Sequence, residues 1–364
     1  MTEIWDKITS FEELYKAANQ CSRGVKWKES VAKYQQNILI NTLRLQRELR
    51  GGSYRLSPYT VFKVFERKER TIVATKMRDR IVQRSIASNY LYDAMTRSFI
   101  YDNAACQKGK GTDFARDRFA HHLRSYYNEH GIKGYVLKID IKDFFGSTDH
   151  EVAKRILRTR ISDPYVYSYV CRVIDSFDAV LPVAGKGIGL GSEISQLIQL
   201  TMLDRLDHKI KEYYRIKHYV RYMDDMLFVS SDLDELRTVR SAVTDELAAL
   251  GYMVSQKKTH IQPLSQGIHY LGFSFRLCSD GNISRRILPS TIGRARRRMK
   301  KHAAYVASGK VSYAYAESCY TAWKAHAAKG DTKPLIKQMD AYFESLYSDW
   351  RSEDESDDRS GHGC

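Results

Sequence analysis

Two adjacent carboxylates, Asp224 and Asp225, lie between apolar, β-branched and aromatic runs at 216–220 and 226–229. Such flanks read as strands, which puts the acids at the tip of a tight hairpin. Consecutive strand side chains point to opposite faces, so a turn is where neighbouring acids can face one way. Two acids on an apolar hairpin repel each other unless a cation lies there. Oxygen-only ligands favour Mg²⁺ or Mn²⁺ over zinc. The chain carries its own control in Asp357-Asp358, a solvated pair in a Ser, Asp, Glu and Gly tail without apolar flanks.

A third carboxylate stands at 134–141, Gly-Tyr-Val-Leu-Lys-Ile-Asp-Ile, where a β-branched, apolar stretch suits a central strand with Asp140 near its C-terminal end. Asp149 can cap a helix over 151–158. The glycine-rich stretch 185–192 opens a helix with Leu197, Leu200, Leu203, Leu206 and Ile210 on one face. Asp232 can cap another, with Leu233, Leu236, Val239, Val243, Leu247 and Leu250 at helical spacing and Gly251 at its end. A further strand is expected from Tyr252, with Lys257-Lys258 just beyond. With the insertion 144–190 collapsed, the order is strand, helix, hairpin, helix, strand, the split β-α-β unit. Its first and third strands are antiparallel neighbours, so Asp140 meets the turn carrying Asp224 and Asp225. Three such acids can hold two divalent ions about 4 Å apart, one activating an attacking hydroxyl and one bracing a leaving phosphate.

Other elements position this core. Residues 1–50 read as helical: Ser10 can cap 11–19, and Leu39, Leu43, Leu45 and Leu49 mark a second helix ended by Gly51-Gly52. Two β runs, 61–65 and 71–73, flank the basic turn Arg67-Lys68-Glu69-Arg70, which suits either a phosphate clamp or a solvated tip. A helix over 77–94 begins Arg78-Asp79-Arg80. Lys108 and Lys110 stand in the glycine-containing stretch 107–112, whose spacing matches no Walker motif. From 284 the chain becomes a basic helical module, with helices expected over 292–308, 314–328 and 334–346. Arg294, Arg298 and Lys301 recur at intervals of three and four residues, which lays one basic stripe along a helix, with Arg297 beside it. The tail from Arg351 carries five acids against two arginines and reads as disordered.

Composition points the same way. The 364 residues are 43% hydrophobic, enough for one large core or a few smaller ones. A net charge of +16 makes a polyanion the leading partner, and 25 Tyr and 13 Phe are available for stacking on bases. Six scattered cysteines without a Cys-x-x-Cys argue against structural zinc and a disulfide framework, and suit a reducing cytoplasm. The start is too polar for a signal peptide, and no apolar run approaches the roughly 20 residues of a membrane span.

Taken together, these motifs resemble a reverse transcriptase, an RNA-directed DNA polymerase. Tyr222-Met223-Asp224-Asp225 matches the signature box of that family, and 138–145, Lys-Ile-Asp-Ile-Lys-Asp-Phe-Phe, matches its first palm motif. Tyr270-Leu271-Gly272-Phe273 matches the motif before the thumb. Lys68, Arg70 and the run Arg78-Asp79-Arg80-Ile81-Val82-Gln83 are similar to the fingers motifs of bacterial members. The resemblance implies an α+β right-hand polymerase. It would have an N-terminal helical extension (1–54), fingers (55–133), a palm (134–275) with a finger insertion at about 146–190, a basic helical thumb (276–348) and a disordered acidic tail (349–364). It implies that Asp140, Asp224 and Asp225, with the backbone of Ile141, bind two Mg²⁺ ions, Mn²⁺ being possible, and that Asp225 is the least direct ligand. Phe145, with Phe144 beside it, falls where the family gates against a ribose 2′-hydroxyl. Lys68 and Arg70 would hold the triphosphate. Lys258, with Lys257 competing, would serve the leaving pyrophosphate. Leu190, Gly191 and Gln196 would border the nucleotide. Arg78, Arg80, Lys108, Lys110, Tyr222, Met223, Gly272, Arg294, Arg297, Arg298 and Lys301 would line the nucleic-acid track. The implied partners are an RNA template, a primer or cDNA duplex and dNTPs, with no membrane.

One departure narrows the resemblance. Most reverse transcriptases read Gln-Gly-x-x-x-Ser-Pro under the templating pair, whereas 190–196 here reads Leu-Gly-Ser-Glu-Ile-Ser-Gln. An aliphatic residue followed by Ser-Gln is similar to enzymes of diversity-generating retroelements, which copy adenines carelessly. Leu190 cannot make the polar contacts of a glutamine, so checking of the pair loosens. By analogy with that group, a small basic helical accessory protein and a structured template-repeat RNA are expected. Retron, group II intron and phage-defence enzymes are the rivals. No Val-Thr-Gly precedes the thumb as in retrons, a short thumb is expected to leave no room for maturase and nuclease domains, and no RNase H region is visible. A non-catalytic RNA-binding scaffold predicts loss of an aspartate, and all three are present.

Overall fold

The computed structural model describes residues 1–65 and 69–348; Lys68 and the tail 349–364 lie outside the described residues. In chain order the elements are α1 (Glu3–Ile8), α2 (Phe11–Ser22), α3 (Glu29–Gln36), α4 (Ile38–Arg50), β1 (Thr60–Phe65), β2 (Glu69–Ala74), α5 (Met77–Ile86), α6 (Tyr92–Thr96), α7 (Thr112–His130) and β3 (Tyr135–Asp140). There follow α8 (His150–Arg158), α9 (Pro164–Ser176), α10 (Glu193–Met202), α11 (Asp204–His208), β4 (His218–Tyr222), β5 (Asp225–Ser230), α12 (Leu233–Ala249) and β6 (His260–Pro263). The chain continues through β7 (Ile268–Tyr270), β8 (Phe273–Leu277), β9 (Ile283–Ile287), α13 (Pro289–Ala307), α14 (Tyr313–Ala327) and α15 (Lys333–Ser345). They gather into two units: Met1–Ala115, Leu137–Phe228 and Leu233–Ile261 in the first, and Arg116–Val136, Val229–Asp232 and the chain from Gln262 in the second.

The first unit carries the carboxylates. The sheet order β4-β5-β3-β6 puts the expected first and third strands side by side. Helix starts follow from local chemistry: the side chains of Ser10, Asp149 and Ser192 accept from the amides of Glu13, Val152 and Ser195. The strand expected at Tyr252 is absent. Tyr252 is buried with its hydroxyl 2.9 Å from Gln199 Oε1, and only Val254 bridges to Ile141 before β6 begins at His260. Lys257 and Lys258 therefore lie in the turn before the strand, not after it. Two helices also differ from expectation. The one over 77–94 passes through a π turn, Ala87–Leu91, and the one after 192 breaks into α10, α11 and a π turn, Lys209–Tyr213. Its five apolar residues are nonetheless all buried. On α4, Thr42, Leu45 and Leu49 face inward while Leu39 and Leu43 are exposed. At about 3.6 residues per turn those two leucines fall outside the stripe.

In the second unit β7, β8 and β9 form an antiparallel meander, with Tyr270 opposite Phe273 and Phe273 opposite Ile287. The two-residue turn between β7 and β8 holds Leu271 at φ 43° and Gly272 at φ 90°, the backbone that a tight hairpin asks for. Helices α13, α14 and α15 close around Met299, Val306, Tyr320, Met339 and Phe343. Among the described residues, no helix is long and apolar enough to cross a membrane.

Candidate catalytic site

Strand β3 ends on Asp140, and the adjacent β5 begins with Asp225, so neighbouring strands bring their acids to one sheet end. Asp140 is buried, and both its oxygens accept from Lys258 Nζ at 2.7 and 2.6 Å. Its backbone N–H donates to Thr259 Oγ1 at 3.3 Å and its carbonyl accepts from Ser255 N–H at 2.7 Å, which fixes the strand end from the 252–259 segment. Asp225 Oδ1 lies 3.1 Å from Lys138 Nζ, two residues before Asp140 on β3. Burial first, then the charges of Asp225 and Asp140, push the Asp224 carboxyl up to about 6, with Lys258 pulling the other way. Lys258 is itself shifted upward: burial acts against its charge, but its bond to Asp140 and the three carboxylates outweigh that.

The hairpin tip is held from behind. Met223 has φ 53°, a left-handed backbone that is unfavourable for a side chain without special support. Arg221 supplies it: Nη1 donates to the Met223 carbonyl at 3.1 Å. The rest of that guanidinium donates to the Asp207 carboxylate, Nε to Oδ1 at 2.8 Å and Nη2 to Oδ2 at 2.5 Å. The Tyr219 hydroxyl donates to Asp207 Oδ1 at 2.6 Å, and both ions of the pair are fully buried.

A second network fixes the loop after β3. Phe144 is buried against Tyr252, ring centroids 5.2 Å apart, and Phe145 lies edge-on to it at 5.8 Å. Buried Gln199 donates to the Phe144 carbonyl at 2.9 Å and to Thr148 Oγ1 at 2.6 Å, while the Phe145 carbonyl accepts from Ile188 N–H at 2.8 Å. The Leu190 carbonyl accepts from Val73 N–H at 3.2 Å, which ties the 190–191 turn to β2. Gly191 has φ 123°, a region open to glycine.

The structure thus brings together Asp140, Asp224, Asp225 and Lys258, with Ile141 buried next to Asp140. Other expected residues lie elsewhere or serve other partners. Arg70 is exposed on β2 opposite Val64, and Gln196 is exposed on α10. Arg78 pairs with Glu48 at 2.5 Å and lies over the Tyr54 ring, and Arg80 is exposed. Lys108 lies over Tyr92, and Lys110 donates to the carbonyls of Tyr101 and Asn103 at 2.9 and 3.0 Å. Tyr222 and Met223 are half-buried at the hairpin, with Met223 sulfur 4.0 Å from Cys106. In the second unit Gly272 forms the β7–β8 turn, Arg294 bonds Thr291 at 3.0 Å, and Arg297, Arg298 and Lys301 are exposed along α13. Sequence reasoning missed Lys138, Arg221, Asp207 and Gln199. Arg221 does flank the acidic pair, and an arginine within a hydrophobic strand is a signal for a buried partner.

The donor set is one of carboxylate oxygens, which suits a hard divalent cation, and the Asp224 carboxyl is raised first by burial and then by the charges of Asp225 and Asp140. Among the described residues no group of three or more Asp, Glu, His or Cys side chains is arranged tightly enough to hold an ion, and both oxygens of Asp140 accept from Lys258. The lysine supplies the positive charge that the cluster requires.

The family described as reverse transcriptase (RNA-dependent DNA polymerase) matches residues 63–275, more than half of the 364-residue chain. No curated protein sequence matches. The apo telomerase of Candida tropicalis, truncated from its C-terminal domain, is similar at 16% identity and a TM-score of 0.47, over 68% of this chain and 60% of that one. The telomerase of Candida albicans, in complex with a TWJ fragment of telomeric RNA, is similar at 11% identity and a TM-score of 0.48, over 73% of this chain and 55% of that one. The chain therefore spans less than two thirds of either telomerase chain.

Proposed function

Because the chain belongs to the reverse transcriptase family, we propose that it extends a primer 3′-hydroxyl with dNTPs on an RNA template, as the adenine-mutagenic enzyme of a diversity-generating retroelement. The observation that carries the first part is the meeting of Asp140 with the Asp224-Asp225 hairpin on adjacent strands, where three acids press on one another. Asp140, Asp224 and the Ile141 carbonyl would hold two Mg²⁺ ions, or Mn²⁺ in their place, and Asp225 stands back against Lys138. When bound, these ions supply the Lewis acidity that activates the hydroxyl and braces the leaving group. Phe145, on a loop pinned by Gln199 and Ile188, offers a flat wall to the sugar of the incoming nucleotide. We place the enzyme in the cytoplasm, where template RNA, dNTPs and Mg²⁺ are available; the accessory protein and template-repeat RNA come from the family analogy.

Lys258 is the cation available to the leaving pyrophosphate. Lys258→Met is expected to slow single-turnover extension about 100-fold, the usual scale for a lost proton donor or charge partner. It should also tighten Mg²⁺ binding, measured by thermal shift, because Asp140 loses its competing ammonium. An unchanged rate would remove the lysine from this role.

The retroelement assignment rests on Leu190, half-buried in the turn before α10. Primer extension on heteropolymeric RNA, followed by cDNA sequencing, is expected to show errors concentrated opposite template adenine. Leu190→Gln should lower them about tenfold by restoring a polar contact. Equal error rates at the four template bases would leave a reverse transcriptase of another bacterial kind.

A further inference from the structure

The peptide planes on the two sides of Phe145 are held by separate bonds. The plane before it carries the Phe144 carbonyl, which accepts from Gln199 Nε2 at 2.9 Å and from Thr148 Oγ1 at 3.0 Å. The plane after it carries the Phe145 carbonyl, which accepts from Ile188 N–H at 2.8 Å. A residue has only two soft backbone dihedrals, and both lie between those planes. With each plane pinned, the direction of the Phe145 Cα–Cβ bond is set. The half-buried ring then moves only about its own side-chain torsions.

The bonds on the first plane come from a closed polar cluster. Gln199 and Thr148 are 0% exposed and Tyr252 is 1% exposed, so bulk water does not compete for them. Gln199 Nε2 also donates to Thr148 Oγ1 at 2.6 Å, and Gln199 Oε1 accepts from the Tyr252 hydroxyl at 2.9 Å. Every hydrogen has an acceptor. The Gln199 amide serves the Phe144 carbonyl and Thr148, the Thr148 hydroxyl serves the same carbonyl, and the Tyr252 hydroxyl serves Gln199. A buried network satisfied throughout is rigid, and one that has lost a member is not. The Phe144 ring is already held in the core against Tyr252, so what the polar cluster adds is the orientation of the peptide leading into Phe145.

We propose that Gln199 is a positioning residue for sugar selection, holding Phe145 where the 2′-hydroxyl of a ribonucleotide would strike its ring. The inference rests on the reading above, which puts Phe145 against the sugar of the incoming nucleotide. Gln199 is fully buried and touches no substrate; it acts through the Phe144–Phe145 peptide. A steric gate works by hard contact, so slack in its backbone admits the extra oxygen, whereas a dNTP fits with or without that slack. Loss of Gln199 therefore raises the use of rNTPs more than it lowers the use of dNTPs.

The test uses the full chain on primed RNA, with kcat/KM measured for each dNTP and the matching rNTP. Gln199→Met, of similar volume, removes both donors and the acceptor, and the preference for dNTP over rNTP should fall about tenfold. Thr148→Val should lower it roughly threefold, and Thr148→Ser, which keeps the hydroxyl, should hold it within about twofold. That pair carries the test if Gln199→Met does not fold. In a Phe145→Ala chain the preference has already collapsed, so adding Gln199→Met should change it by less than about twofold. A glutamine that served the fold alone would lower both rates together and leave their ratio intact. If the ratio is unchanged in Gln199→Met and in Thr148→Val, the proposal is overturned. It is equally overturned if Gln199→Met lowers the ratio as far in the Phe145→Ala chain, because the effect would then bypass Phe145. A chain that extends with dNTPs, and whose variants stay selective, loses this inference alone. A wild type that takes rNTPs as readily as dNTPs loses the reading of Phe145, and one that extends with neither loses the polymerase reading as well.

Discussion

An Asp224→Asn variant is expected to lose primer extension by about a thousandfold or more, the several kcal/mol that a held metal ion contributes to the transition state, and yet to melt at a higher temperature than wild type in metal-free buffer. Its RNA affinity should be little changed. The stability gain follows from the carboxyl being raised from 3.8 to about 6. Below 3.8 the group is protonated in both folded and unfolded chains and carries no penalty. As pH rises toward 6 the unfolded chain ionises first, and stability falls; above 6 the penalty is fully present. Two pKa units correspond to about 3 kcal/mol at neutral pH. An asparagine cannot ionise, so much of that returns as a few degrees in melting temperature. The difference between variant and wild type should shrink between pH 7 and pH 5. Mg²⁺ should raise the melting temperature of wild type and leave the variant nearly unmoved. If the variant melts lower at pH 7, the acids are not in conflict; if it extends primers normally, Asp224 is not a catalytic ligand.

The meeting of Asp140 with Asp224 and Asp225 was legible because it needs only element order: a strand, a helix and a hairpin in sequence make the second strand of the hairpin a neighbour of the first strand. Which lysine meets which acid was not legible. Lys138 reaches Asp225 because β3 and β5 are adjacent, and Lys258 reaches Asp140 because the 252–259 segment leaves the sheet after one bridge at Val254. That departure is driven by Tyr252, whose hydroxyl bonds Gln199 and approaches Thr148 at 3.1 Å instead of riding on a strand. Its aromatic and β-branched neighbourhood reads as a strand by propensity, and tertiary context overrode it. Leu39 and Leu43 show the converse: apolar residues at near-helical spacing need not share the buried stripe. Arg221 was hidden because its partner Asp207 lies on another element, α11, beyond any sequence-local pattern.

Removing the Arg221 guanidinium should be among the most damaging single changes in the chain. Arg221→Met leaves Asp207 charged, fully buried and unpaired except for the Tyr219 hydroxyl, which typically costs about 3–5 kcal/mol. Against a total stability of roughly 5–15 kcal/mol, that is a large fraction of what holds the fold. Loss of activity in that variant alone would not separate unfolding from misplacement of the hairpin. The double variant Arg221→Met with Asp207→Asn does separate them. The neutral amide removes the stranded charge and still accepts from Tyr219, so stability should return to within about 1–2 kcal/mol of wild type, read by urea unfolding. The Met223 carbonyl would still lack its donor, and Met223 would hold its φ of 53° unsupported. Small displacements of a catalytic group carry large rate penalties, so extension by the folded double variant should remain depressed about 10- to 100-fold, with RNA affinity unchanged. Full recovery of rate together with stability would mean that the ion pair only holds the fold. Recovery of stability with a persistent rate defect would assign Arg221 to positioning the carboxylates.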